Sequence, residues 1–97
     1  MKEIVVKLNK VYQVKLKSVL NRLLELEAGD YVGFDETDAG WRLFKTVQTS
    51  DKCRSKVGPD GRFSVPEAVR ESLGVGAGSA VAFVLRGEAN LTVKKAE

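Results

Sequence analysis

The chain says nearly the same thing twice, the second time about 49 residues after the first, and that repeat limits what it can fold into more than any single residue does. Laid without a gap onto Arg62–Lys94, the segment Gln13–Lys45 brings Leu24 onto Leu73, Ala28 onto Ala77, Gly29 onto Gly78, Val32 onto Val81, Phe34 onto Phe83 and Lys45 onto Lys94. Upstream, Lys7 meets Lys56. Other apolar positions agree in kind, Val14 with Phe63, Leu16 with Val65, Leu26 with Val75 and Phe44 with Val93. A solenoid needs at least three stacked units, and 97 residues leave room for only two, so the repeat implies a pseudo-two-fold. Each half is close to the size at which an apolar core alone no longer holds a chain together. The halves therefore need each other, and residues 1–97 are expected to form one domain made of repeats 1–48 and 49–97.

In the second copy, Lys52–Val57 and Arg62–Val65 read as strands joined by Gly58-Pro59-Asp60-Gly61, whose Asp-Gly pair supplies the positive φ angles of a tight hairpin. Pro66–Leu73 reads as a two-turn helix opened by its proline, with Val69, Ser72 and Leu73 on one side and Gly74 as C-terminal cap. Ala80–Arg86 and Asn90–Lys95 form a second hairpin around Gly87. The first copy repeats this β-β-α-β-β order more weakly: strands Ile4–Leu8 and Tyr12–Leu16, helix Lys17–Leu24 with Leu20, Leu23 and Leu24 inward, then Tyr31–Asp35 and Trp41–Val47. Its first hairpin carries Asn9-Lys10-Val11 in place of Asp-Gly. The connection Gln48-Thr49-Ser50-Asp51 is too short for a flexible interdomain linker. Trp41, Phe34, Phe83, Phe44, Tyr31 and Phe63 fall on alternating strand positions and are expected in the core.

The chemistry that the composition excludes is as informative. There is no histidine and a single cysteine, Cys53, which removes Ser-His and Cys-His nucleophile pairs and leaves only carboxylates for a metal. Cys53 stands where the first copy has Ile4 and reads as a small hydrophobe. Asp35, Glu36 and Asp38 surround Thr37 ahead of Gly40 as a solvated turn without the spacing of a calcium loop. The glycines at 74, 76 and 78 precede a strand pattern, whereas phosphate cradles precede a helix. No enzymatic activity, cofactor or metal is expected. With neither an apolar run of about 18 residues nor a leader pattern, a cytoplasmic protein without a membrane span is expected.

The stretch Asp60-Gly61-Arg62-Phe63-Ser64-Val65-Pro66-Glu67-Ala68-Val69-Arg70-Glu71-Ser72-Leu73-Gly74-Val75, followed by Gly76-Ala77-Gly78-Ser79-Ala80-Val81-Ala82-Phe83, resembles the AbrB/SpoVT family of swapped-hairpin DNA-binding domains. Over about 45 residues the likeness lies in Gly-Arg before a strand, Val-Pro opening a short helix, an Arg four residues on, and Leu-Gly before a glycine turn. The resemblance implies a mostly β fold with two short helices, in which tandem β-β-α-β-β units exchange hairpins to close one pseudo-dimeric barrel, as in the MraZ-like relatives. It further implies double-stranded DNA as partner, contacted by Lys56, Arg62 and Arg70 in the second copy and by Lys7 and Lys15 in the first. The first copy departs from the pattern, with Gln13 in place of Arg62, Asn21 in place of Arg70 and Lys17 in place of Pro66, so that a DNA site would be read asymmetrically.

Charge placement points the same way without the resemblance. Residues 2–17 carry a net +4 and residues 52–62 a net +3, against +3 for the whole chain, so the remainder is acidic. Lys10, Lys52 and Arg54 thereby join the candidate DNA contacts, since cations gathered on adjoining strands neutralise backbone phosphates. Lysine-rich edge strands that resist aggregation are the alternative meaning of the same charges. Two other functions fit the resemblance: an antitoxin of the MazE or VapB kind that binds a toxin and represses its own operon, and a barrel that serves self-association only. The antitoxins usually add an acidic extension, and this chain closes on Lys94-Lys95-Ala96-Glu97 after its last strand pattern. A DNA-binding regulator is the expectation.

Overall fold

Short alternating apolar runs, broken by glycine and asparagine, form eight strands and two short helices in the protein, whose computed structural model describes residues 2–49, 53–87 and 90–96. The first half contributes β1 (Lys2–Lys7), β2 (Gln13–Lys15), helix α1 (Lys17–Val19 with its continuation Leu20–Leu24), β3 (Tyr31–Thr37) and β4 (Gly40–Thr46). The second contributes β5 (Cys53–Lys56), β6 (Arg62–Ser64), α2 (Glu67–Leu73), β7 (Ala80–Leu85) and β8 (Leu91–Lys95). Helix α1 is α-helical over Lys17–Val19 and π-helical over Leu20–Leu24. The fold is thus mostly β with two short helices, and the expected element order recurs in both halves.

Six antiparallel strands form a sheet in the order β1-β7-β8-β4-β3-β5, and β2 and β6 form a separate ribbon. The first strand of each half therefore lies against the third strand of the other. Equivalent residues make equivalent pairs: Ile4 opposes Phe83 as Cys53 opposes Phe34, and Lys7 opposes Ala80 as Lys56 opposes Tyr31. The connecting backbone bonds repeat too, Leu8 N to Ser79 O at 2.9 Å matching Val57 N to Asp30 O at 2.8 Å. Around the ribbon, Leu16 N donates to Gly61 O as Val65 N donates to Tyr12 O. A pseudo-two-fold passes through the Val14–Phe63 pair of the ribbon and between the Arg42–Thr92 and Leu43–Leu91 pairs of β4 and β8.

The expected closed barrel is replaced by an open sheet and a ribbon. The reason is local: β2 and β6 are three residues long and spend their ladder on each other. Each meets the preceding strand of its own half at the turn, through Asn9 N to Gln13 O and Gly58 N to Arg62 O, so β1 and β5 remain the two sheet edges. Apolar burial closes the body instead. Phe63 on the ribbon packs 6.2 Å from Phe34 on β3 and 6.4 Å from Phe83 on β7, ring centre to ring centre, and all three are essentially excluded from solvent. Burying a side chain of this size contributes about 2–3 kcal/mol. Leu20, Val69, Leu43 and Leu91 complete the same cluster, while Tyr31, Trp41 and Phe44 are only half-buried.

Three local expectations are refined. Pro66, at ψ 151, caps α2 from outside its first turn, where its carbonyl accepts from Arg70 N. Ser72 does not face the core but is exposed, donating to Glu36 Oε2 at 3.2 Å. The first hairpin is organised by the Asn9 side chain, whose Oδ1 accepts from Val11 N at 3.0 Å and Gln13 N at 2.8 Å, an Asx turn doing the work of Asp-Gly.

Candidate nucleic-acid interface

The ribbon turns Val14 and Phe63 into the core, and strand alternation turns Gln13, Lys15, Arg62 and Ser64 the other way. In its register Lys15 stands directly opposite Arg62, and both are exposed. Side chains so placed have Cβ atoms about 5 Å apart, and like charges there repel. The sequence alone does not reveal this apposition, because it depends on a register between residues far apart in the chain. Arg62 also reaches Asp60 at 3.4 Å, with both side chains about half exposed.

Lys7 and Lys56 end β1 and β5 at equivalent positions, and both are exposed. Lys7 and Lys15 flank the first turn, two residues outside Asn9 and Gln13, which close it. On the second side, Ser55 Oγ donates to Ser64 O and ties β5 to β6. Lys10 is exposed in the first turn. Arg54 is exposed on β5, with Val5, itself 57% exposed, at the equivalent place on β1. Lys52 lies outside the described residues.

Arg70 is used differently from the others. Its Nε donates to Val65 O at 3.0 Å, and its guanidinium lies over the Tyr12 ring at 3.8 Å. Tyr12 is thus held in a cation–π contact that joins the first hairpin to the second helix. Asn21 stands at the place equivalent to Arg70 and Gly61 at that equivalent to Tyr12, so this contact occurs on one side only. The two sides are not chemically equal.

Apart from the Arg62–Asp60 pair, the ion pairs described lie on other strands. On β4, Arg42 pairs with Asp35 at 3.1 Å and Lys45 with Asp30 at 3.8 Å, whereas Lys7, Lys10, Lys15 and Lys56 have no ion pair among the described residues. No group of three potential metal ligands occurs among the described residues, and none of their helices is long and apolar enough to cross a membrane. Compared with protein-family models, curated proteins and solved structures, the chain matches none.

Proposed function

We propose that the protein is a DNA-binding transcriptional regulator of the AbrB/SpoVT type, a single chain whose two repeats form one swapped-hairpin pseudo-dimer. The exchange of first strands between halves supports the fold reading, since each repeat completes its sheet only with a strand of the other. The observation that carries the functional reading is the apposition of Lys15 and Arg62 at the pseudo-two-fold, with Lys7 and Lys56 placed equivalently on either side. Two cations directly opposed on an exposed ribbon cost stability, and a polyanion removes that cost.

The chemistry divides between the residues. Lysines act as point charges toward phosphate and release counterions on binding. The forked guanidinium of Arg62 suits the O6 and N7 acceptors of guanine, the commonest specific contact of an arginine in the major groove. Arg70, stacked on Tyr12 and bonded through Nε to Val65 O, ties the first hairpin to α2. With a longest dimension of 29 Å, one chain covers at most about one helical turn of duplex, 34–36 Å.

The test is selection of binding sites from a random pool of duplex DNA by the purified full chain. Recurrent enrichment of a short, incompletely palindromic site is expected, its asymmetry following from Lys15 and Gln13 opposite Arg62 and Ser64. Arg62→Ala should blur preference at guanine positions. A chain that retains no duplex above background at low salt contradicts the proposal.

A further inference from the structure

The pseudo-two-fold relates two surfaces of opposite chemistry. At the β1 edge of the sheet, a groove of about 320 Å³ lies between β1 and α1, floored by Ile4, Val19, Leu23 and Leu85 and rimmed by Lys2 and Arg22. These four apolar residues are only partly buried. At the β5 edge, the equivalent of each has changed: Cys53 stands for Ile4, Ala68 for Val19, Ser72 for Leu23 and Glu36 for Leu85. Arg22 becomes Glu71, and Ser18 becomes Glu67. There the Ser72–Glu36 hydrogen bond covers what is an open apolar floor on the other side.

Because β1 and β5 are opposite edges of one sheet, the basic apolar groove and the acidic helix face lie on opposite flanks of the molecule. Glu67 and Glu71 are one helical turn apart on the exposed face of α2 with Ala68 beside them. A small residue next to two carboxylates lets a helix lie close against an apolar floor while its charges reach a basic rim. Among the described residues, Lys2 and Arg22 have no ion pair.

We propose that copies of this chain associate head to tail, the α2 face of one seated on the β1–α1 groove of the next. The contact is heterologous: two different surfaces meet, so each added copy leaves one of each kind unused, and growth continues as a row unless the ring closes. Its strength is shared between apolar contact and charge, so it weakens with salt. The second copy is the favoured occupant because the complementary chemistry is present on the chain itself. The inference does not depend on DNA binding, since none of its residues belongs to the proposed DNA interface.

The experiment is sedimentation velocity of the full chain across a concentration series at low and high salt, without DNA. Mean mass should rise with concentration at low salt and fall back toward the single chain at high salt. Arg22→Glu and Glu71→Arg should each weaken association about tenfold. An equimolar mixture of the two variants should recover it, because the acidic groove of one meets the basic α2 of the other. All four side chains named on the charged surfaces are exposed, and circular dichroism melts equal to wild type show that folding is intact. A single mass at every concentration and salt overturns the proposal, as does association indifferent to both reversals. If the chain stays single yet binds a synthetic Leu/Glu amphipathic peptide in a manner lost on Arg22→Glu, the groove serves a foreign partner and the proposal also fails.

Discussion

At Gly61 a single missing Cβ holds the second hairpin against the first helix. Its φ of +78 is unfavourable for a side chain, and a Cβ there would come within 2.4 Å of the Cα and Cβ of Lys17. The Asp-Gly turn made the φ legible in the sequence, but the approach of Lys17 joins the two halves and could not be read from either. Backbone strain and overpacking together should make Gly61→Val cost about 3 kcal/mol or more, a fall in melting temperature above about 10 °C for a domain of this size. An unchanged melt removes the close approach. The opposite substitution is open at Glu25, which caps α1 at φ 56 where Gly74 caps α2 at φ 69. Glu25→Gly should relieve about 1 kcal/mol of left-handed strain, seen as a higher urea midpoint, and a lower midpoint would mean that the glutamate side chain contributes more than its backbone costs.

The elements show why some of the fold was legible and some was not. Hydrophobic alternation and turn residues located every strand within a residue or two, because burial of one face is what fixes a strand. They did not disclose the π-helical segment of α1: Leu26 N donates to Leu20 O at 3.1 Å, where the second copy has Val75 N to Arg70 O at 3.0 Å. The extra residue in that turn leaves no mark in composition. Nor did they disclose that β2 and β6 would pair only with each other, since three-residue strands carry too little pattern to show whether they extend a sheet. The cations of the hairpins were visible as charge, whereas the apposition of Lys15 and Arg62 needed the register, and the contact of Arg70 with Tyr12 joins residues far apart along the chain. That apposition predicts a trade of stability for function. Lys15→Ala should leave the thermal midpoint unchanged or slightly higher while weakening duplex binding; a clear loss of stability would mark Lys15 as a structural residue.

For the whole molecule, the repeat matters because neither half completes its own sheet. Residues 50–97 alone leave β5 without β3, β7 without β1 and β8 without β4, and should be unfolded or restore the pairing as a dimer of two fragments; a folded monomer in light scattering would show that the cross-pairing is dispensable. The same pairing sets the two halves' cations around one axis, where we propose that they bind DNA together. The most direct test is a titration of labelled duplex at several salt concentrations with wild type, Lys7→Ala/Lys56→Ala and Lys15→Ala/Arg62→Ala. Each lost phosphate contact lowers the slope of log affinity against log salt by about 0.9. Lys7→Ala/Lys56→Ala should therefore bind more weakly with a slope reduced by about two units, Lys15→Ala/Arg62→Ala should bind more weakly with a slope reduced by about one unit and blurred preference at guanine, and neither should melt below wild type. Wild-type affinity and slope in both variants would remove these cations from any DNA site.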